Sequence, residues 1–289
     1  MIQWKYAKEP RELITREHAG VPFLSFKALE ETGIVINGFS TRLGGVSQGR
    51  LASMNFSTAK GDTPERVREN FTRMAAALGV ERDRMVLSWQ THTVNVRRVT
   101  AEDAGKGVVR ERDYRDVDGL ITDVPGITLV TLYADCVPLY LVDTVHRAIG
   151  LSHSGWRGTV RKMGQVTLTA MGEAFGTRPE DVTVCIGPSI CQDCFEVGEE
   201  VAEAFLQAFP AKYHSAVLKP GRQPGKYQAD LWEANRAVFL EAGTAPERIH
   251  VTDICTRCNS QYLFSHREHG TERGNLGAFL CLKQPSNFR

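Results

Sequence analysis

Short apolar, β-branched runs closed by small or polar residues recur along this chain. They predict strands at Ile34 to Phe39, Met85 to Trp89, Ile127 to Tyr133, Leu139 to Val142, Ala148 to Leu151, Val182 to Ile186, Ile249 to Thr252 and Ala278 to Leu282. Between them the apolar positions change to helical spacing. Val67, Phe71, Met74 and Leu78 share one face of a helix predicted over Pro64 to Leu78, which Asp62 or Thr63 can cap and Pro64 can start. Further helices are predicted at about Thr159 to Phe175, at Glu199 to Phe209, and at Ala229 to Glu241, where Ala242-Gly243 supplies a stop. Strands and helices mix without βαβ alternation, so the expected class is α+β, with a sizeable mixed sheet flanked by helices. The polar stretch Lys219 to Lys226 reads as a loop inside one domain covering residues 1–289, with residues 1–32 peripheral.

Three of the strand-like runs end on a metal-type side chain: Gln90-Thr91-His92, Ala134-Asp135-Cys136 and Ser152-His153-Ser154-Gly155-Trp156. Strands that stop at one sheet edge can bring their tips together, and sites are commonly built there. Two imidazoles and a thiolate then make a three-ligand site with a position left open, the pattern of a catalytic zinc. Each residue alone is more often a satisfied core or surface group. The same Cys136 and His153 also suit a thiol nucleophile and its base, and the sequence does not separate the two chemistries.

Composition narrows the setting. In 289 residues, 42% are hydrophobic and 24% charged, ample for a globular core. A formal charge of +1 gives no reason to expect nucleic acid or an acidic membrane as partner. The longest apolar run, Ile127 to Val142, is interrupted by Asp135 and Pro138, and Met1 to Pro10 has no signal-type apolar region. Seven cysteines, an odd number in a chain too long to need staples, fit a reducing compartment, so a cytoplasmic protein is expected.

Other motifs carry weaker signals. Ser40-Thr-Arg42-Leu-Gly-Gly-Val-Ser47 can approach an anion through backbone N–H groups and the Arg42 guanidinium, or it can be a plain turn. Ser53, Asn55 and Asp62 lie just before the first long helix as possible substrate contacts, with capping the competing role for Asp62. Asp135 could orient a His ligand, move a proton or cap a turn. Cys255-Thr-Arg-Cys258 and His266-Arg-Glu-His269 are too closely spaced for a two-Cys, two-His finger, and no Pro-Cys-x-x-Cys follows His266-x-Glu268 as a nucleobase deaminase requires. Cys191, Cys194, Cys255 and Cys258 form two Cys-x-x-Cys pairs. The local sequence permits a four-Cys structural zinc site, but nothing in it fixes those pairs near each other, and they are expected to bind no metal.

The ordered set Ser40-Thr-Arg-Leu-Gly-Gly-Val-Ser47, Ser53-Met-Asn-Phe-Ser57, Gln90-Thr-His92, Asp118-Gly-Leu-Ile-Thr122, Ala134-Asp-Cys-Val-Pro138, His153-Ser-Gly-Trp-Arg-Gly158 and Ile186-Gly-Pro-Ser-Ile190 resembles the laccase-domain family. Its members were long labelled multicopper polyphenol oxidases and are now described as purine nucleoside phosphorylases. The resemblance runs from about Gly33 to the C-terminus. It implies an α+β domain similar to the toxin-deamidase-like cysteine hydrolase fold, and zinc on His92, Cys136 and His153. It also implies phosphorolysis of adenosine, inosine and S-methyl-5′-thioadenosine, with adenosine deamination as a second activity. An alternative from the same resemblance is a Cys–His amide hydrolase editing a UDP-muramoyl peptidoglycan precursor. Copper, reported for the family, is less expected because the chain has no His-x-His pair. Expected partners are a nucleoside and phosphate, with the chain a monomer or homodimer. Arg42, helped by Arg157 or Arg267, is the expected phosphate site. Glu268 stands where the family usually carries the second Arg of a pair, and Cys191-Gln-Asp-Cys194 replaces the usual Gly-Pro-Cys-Cys.

Overall fold

The computed structural model describes residues 2–9 and 11–284, so the expected bounds at 1 and 289 lie outside the described residues. Strands are numbered along the chain. One six-stranded sheet contains β1 (Leu13–His18), β2 (Val21–Phe26), β3 (Val35–Ser40), β4 (Met85–Leu87), β7 (Thr128–Tyr133) and β15 (Leu276–Leu282), in the order β1-β2-β3-β15-β7-β4. The second contains β5 (Val96–Arg98), β6 (Gly119–Thr122), β8 (Val137–Asp143), β9 (Ala148–Ser154), β10 (Val182–Ile186) and β14 (Ile249–Val251), in the order β14-β10-β8-β9-β6-β5. A small antiparallel sheet joins β11 (Glu196–Gly198), β12 (Leu218–Pro220) and β13 (Lys226–Ala229). The helices are α1 (Lys27–Glu31), α2 (Pro64–Leu78), α3 (Trp156–Val160), α4 (Met163–Phe175), α5 (Glu199–Ala208), α6 (Ala211–Val217), α7 (Leu231–Glu241) and α8 (His266–His269).

The α+β class holds, but two large sheets replace the expected single one. They stack face to face, with β7 and β15 packed on β9. Residues from both inner faces fill the space between, among them Phe26, Phe39, Leu129, Tyr133, Tyr140 and Leu151. The outer face of the first sheet is covered by α2 through Val67, Phe71 and Met74. The outer face of the second is covered by α4 and α7 through Met163, Met171, Val238 and Phe239. The strands nearest the middle are therefore buried on both faces: along β8, Leu139 and Leu141 face the helices while Tyr140 and Val142 face the other sheet. The buried tyrosine hydroxyls tie the layers together, Tyr140 donating to the Gly38 carbonyl at 3.0 Å and Tyr133 to the Ser152 carbonyl at 3.0 Å.

Local departures from the expected elements have identifiable causes. The described part of the segment expected to be peripheral contributes to the core: Val21, Leu24, Phe26 and Leu29 are buried, and β2 pairs with β3. The helix expected over Thr159 to Phe175 breaks at Lys162, which adopts φ 61°, and restarts at Met163. Thr63 rather than Asp62 caps α2, its hydroxyl accepting from the Arg66 amide, and Gly79 at φ 69° ends it. Lys219 to Lys226 is the hairpin turn between β12 and β13 with the ends of both strands.

Candidate metal centre and its two clefts

β7 leaves the first sheet at Tyr133 and β8 enters the second at Val137, so Ala134-Asp135-Cys136 is the crossing between layers. Asp135 takes φ 85° there, a conformation that turns the chain within so short a link. Cys136 stands at this crossing. His153 lies near the end of β9, opposite Pro138, and His92 lies in the loop after β4. Among the described residues, the ligand-type atoms of His92, Cys136 and His153 fall within 4.8 Å of one another. The expected convergence of three strand ends is therefore observed. His153 is buried, Cys136 half-buried and His92 exposed, which leaves the cluster open on one side.

Asp118 orients the His153 imidazole and holds the loop that carries His92. Its fully buried carboxylate accepts from His153 Nδ1 at 2.8 Å and from the His92 amide at 3.1 Å on Oδ1. On Oδ2 it accepts from the Thr91 and Thr93 amides at 3.0 Å each and the Thr93 hydroxyl at 2.9 Å. The loop carrying His92 thus wraps around one carboxylate, and His92 is held at φ 65°. Gln90 pins the same loop to β7 by exchanging two 2.7 Å hydrogen bonds with the Leu132 backbone. With Nδ1 donating to Asp118, His153 directs Nε2 towards the other two ligands, the usual arrangement for a metal-binding histidine.

The electrostatics follow from this packing. Burial works to raise the Asp118 carboxyl, but the His153 ring and the Thr91 and Thr93 amides outweigh it and leave a pKa of about 2. Burial likewise opposes ionisation of Cys136, yet the neighbouring His153 and His92 bring the thiol down to about 6. His153 is raised to about 9: burial disfavours its charge, but Cys136 and Asp118 overcome that. The deprotonated sulfur needed for metal binding is thus favoured at neutral pH. Two imidazoles and a thiolate at this spacing fit a zinc-type ion with a free position.

Two clefts meet at the cluster and share His92, Ala134, Cys136 and Arg273. The larger, ≈ 610 Å³, carries polar and basic groups including Lys60, Arg68, Gln90 and Arg112, with Phe56 and Trp89 among its walls. The smaller, ≈ 280 Å³, is mostly apolar, with Ile190, Trp156, Phe195 and Leu231 beside His266 and Arg267. Arg273 stands between them. Its Nη1 donates to the Gly274 carbonyl at 3.2 Å and to the Asn275 side chain, while its buried Nε has no partner. Burial works against its charge, and the nearby Asp135 and Cys136 support it.

The other residues singled out in the sequence are placed differently from expectation. Arg42 lines neither cleft. Its guanidinium donates to the carbonyls of Ala52 at 2.9 Å and Ser260 at 3.1 Å and lies over the Phe264 ring, so it ties the Gly-rich loop to the 260 turn. Ser53 closes that loop, accepting from the Gly45 amide and donating to the Arg42 carbonyl. Asn55 and Asp62 are buried partners of each other at 2.8 Å, and Asp62 also accepts from Ser47, so they brace the wall of the larger cleft from behind. Arg157 is exposed and stacked on Trp156, outside both clefts. Arg267 does line the smaller cleft, held by the Glu196 carbonyl at 3.0 Å. Asp135 orients no histidine: its carboxylate accepts from the Thr256 hydroxyl at 2.7 Å and the Arg267 amide at 2.6 Å, and Asp118 has the orienting role.

Asp118, Arg273 and Gly155 were not singled out as site residues. Asp118 opens a strand-like Asp-Gly-Leu-Ile-Thr motif, but its position before a strand does not by itself mark it as a site residue. Gly155 leaves room for the ligands: a Cβ there would sit 3.0 Å from Cys136 Sγ and 3.2 Å from His92 Cδ2 and would press on both.

Known proteins resemble this chain over most of its length. A purine nucleoside phosphorylase of Bacteroides thetaiotaomicron is 37% identical over 88% of this chain and 93% of that protein. Adenosine deaminase RL5, from an unknown prokaryotic organism, is 36% identical over 83% of this chain and 91% of that protein. The crystal structure of YlmD from Geobacillus stearothermophilus superposes with a TM-score of 0.85 at 32% identity, covering 94% of this chain and all of that one. The family model described as multi-copper polyphenol oxidoreductase laccase matches residues 36–283, and with these relatives it establishes that the chain belongs to that family.

Proposed function

We propose that this chain is a cytoplasmic, zinc-dependent purine nucleoside phosphorylase. It takes adenosine, inosine and S-methyl-5′-thioadenosine with phosphate, and deaminates adenosine at the same site. The observation that carries this reading is the His92–Cys136–His153 cluster at the junction of an apolar cleft and a basic one, with Arg273 lining both. The relatives named for phosphorylase and deaminase activity point the same way. The aromatic faces of Trp156 and Phe195 suit a purine, and the basic cleft suits phosphate. The anion role expected of Arg42 passes to Arg273, whose Nε is unpartnered. In phosphorolysis a phosphate oxygen bonds to C1′ while the C1′–N9 bond breaks. The electron pair leaves on the purine, which takes up a proton. Arg273 holds the attacking anion, and Asp118 keeps the His153 Nδ1 proton in place so that the ring cannot turn. When bound, zinc supplies Lewis acidity between the clefts.

A second reading is favoured by one specific observation. Asp118, His153 and Cys136 stand in the order of a thiol hydrolase triad, with the thiol lowered and the imidazole raised. That reading is amide hydrolysis of a UDP-muramoyl precursor. Incubation of purified protein with adenosine, with and without phosphate, tests the first. Ribose 1-phosphate and adenine should form only with phosphate, inosine should form in either case, and chelation should abolish both. Phosphate-independent amide cleavage by chelated protein, with no ribose 1-phosphate, would establish the second reading in its place.

A further inference from the structure

The two Cys-x-x-Cys pairs, which nothing in the sequence fixes near each other and which are expected to bind no metal, come together in the structure. Cys191 and Cys194 sit in the loop between β10 and β11, Cys255 and Cys258 in the turns after β14, and all four sulfurs fall within 4.8 Å of one another. The sequence could not show this because parallel pairing of β10 with β14, far apart in the chain, delivers both loops to one end of the second sheet. The pairing continues past the strands: Ser189 bridges Cys255, and the Thr256 amide donates to the Ser189 carbonyl at 3.0 Å.

We propose that these four cysteines bind a second metal ion, a structural zinc, independently of the centre between the clefts. Four sulfurs around a tetrahedral zinc with bonds of about 2.3 Å lie roughly 3.8 Å apart. The Cys194–Cys258 separation is 3.5 Å, well beyond the roughly 2.05 Å of a disulfide. A second feature also points to an ion. The amides of Cys191 and Cys258 both donate to Cys255 Sγ, at 3.3 and 3.5 Å. Backbone donors converging on one sulfur favour its thiolate form and are the outer-shell support that metal thiolates receive. Cys255 is fully buried and the others half-buried, so the cluster is closed by protein on most sides, as a structural site is.

The position explains what the ion would hold. Ile190 and Phe195 flank the first Cys pair and line the apolar cleft. Thr256, inside the second pair, grips Asp135 beside Cys136, and the Ile190 amide donates to the Asp135 carbonyl at 3.0 Å. Arg267, a basic group of that cleft, donates to the carbonyls of Glu196 and Cys194. An ion bonded to both loops therefore fixes one wall of the cleft to the crossing that carries Cys136.

Native mass spectrometry of protein made in zinc-supplemented medium and kept reduced tests this. The wild type should carry two zinc ions, His92→Ala/Cys136→Ala one, and Cys191→Ser/Cys258→Ser one. Cobalt loaded into the His92→Ala/Cys136→Ala protein should show intense sulfur-to-metal charge-transfer bands, a readout that does not require the Cys191/Cys258 variant to fold. A folded His92→Ala/Cys136→Ala protein without metal, or a wild type whose mass shows disulfides at these cysteines after reduction is maintained, would overturn the proposal. One zinc in both wild type and His92→Ala/Cys136→Ala would leave this site standing and sink the metal centre between the clefts instead.

Discussion

Replacing Asp118 by Asn keeps the size of the side chain and removes one acceptor. The amide oxygen can still serve the Thr91 and Thr93 groups on the Oδ2 side. Its NH2 then faces two donors, the His92 amide and His153 Nδ1, which the wild-type Oδ1 satisfies at 3.1 and 2.8 Å. His153 can relieve its half of the conflict only by moving its proton to Nε2, which removes the lone pair needed to bind a metal. The His92 amide has no such escape. With His153 in that tautomer one donor is left unsatisfied, and at ~1–3 kcal/mol for such a group the fold should lose about 1–3 kcal/mol. Loss of an orienting carboxylate typically weakens metal binding 10–100-fold, and the wrong tautomer places Asp118→Asn at or beyond the upper end of that range. Competition titration against a chromophoric chelator measures the affinity, and nitrogen chemical shifts of labelled imidazole show which ring atom carries the proton. A folded Asp118→Asn protein that binds zinc within about twofold of wild type, with His153 still protonated on Nδ1, would refute the assignment of Asp118 as the orienting group.

Gly155→Ala should lower metal affinity by about tenfold or more while costing only ~1–3 kcal/mol of stability, because the new Cβ presses on Cys136 and His92 and the backbone at φ −72° tolerates alanine; unchanged metal binding would mean that the ligands have more room than the structure gives them. Arg273→Ala should raise the KM for phosphate by about tenfold or more, whereas Arg42→Ala should cost roughly 2–4 kcal/mol in denaturant unfolding and shift that KM by no more than about twofold; the opposite pattern in steady-state kinetics would return the anion to Arg42. Asp253 is fully buried with both carboxylate oxygens unpartnered, and burial raises its pKa to about 6. A raised carboxyl destabilises the fold as pH rises from the unfolded value near 3.8 through the folded value of about 6. Asp253→Asn should therefore stabilise the protein by ~1–3 kcal/mol at pH 7.5 and by almost nothing at pH 3.5, and equal unfolding midpoints at pH 7.5 would count against it.

Much of the centre was legible because its ligands sit where strands end, and strand ends show in a sequence as a change from β-branched to small polar residues. His92, Cys136 and His153 were found that way. Asp118 was not, since a buried carboxylate that accepts from distant amides looks in sequence like any Asp before a strand. Arg273 lies in the exposed-looking Gly270-Thr-Glu-Arg-Gly274 stretch and becomes significant only when β15 brings it beside Cys136. Arg42 was over-read for the converse reason: a Gly-rich loop with an Arg suits an anion, but here the guanidinium is satisfied by carbonyls. The strand LITREH of β1 hid behind its exposed polar residues. The second sheet hid behind uniform burial, because apolar residues on both faces of a strand do not say how many sheets share them.

The two clefts, the metal-type cluster and the four-cysteine cluster share one structural cause. The first sheet supplies the loop of His92 and the second supplies His153, while Cys136 lies on the link that passes between them. No ligand geometry exists until the sheets are packed, and any ion bound by those three residues stabilises the packed state by mass action. The four cysteines stand one loop away, joined to the same link through Thr256 and Asp135. A protein with ions at both places is held on each side of the Asp135 turn, whose φ of 85° needs support from outside. Ions at both places would hold the Cys136 sulfur between the clefts, where the proposed chemistry, metal-assisted or thiolate-based, needs it.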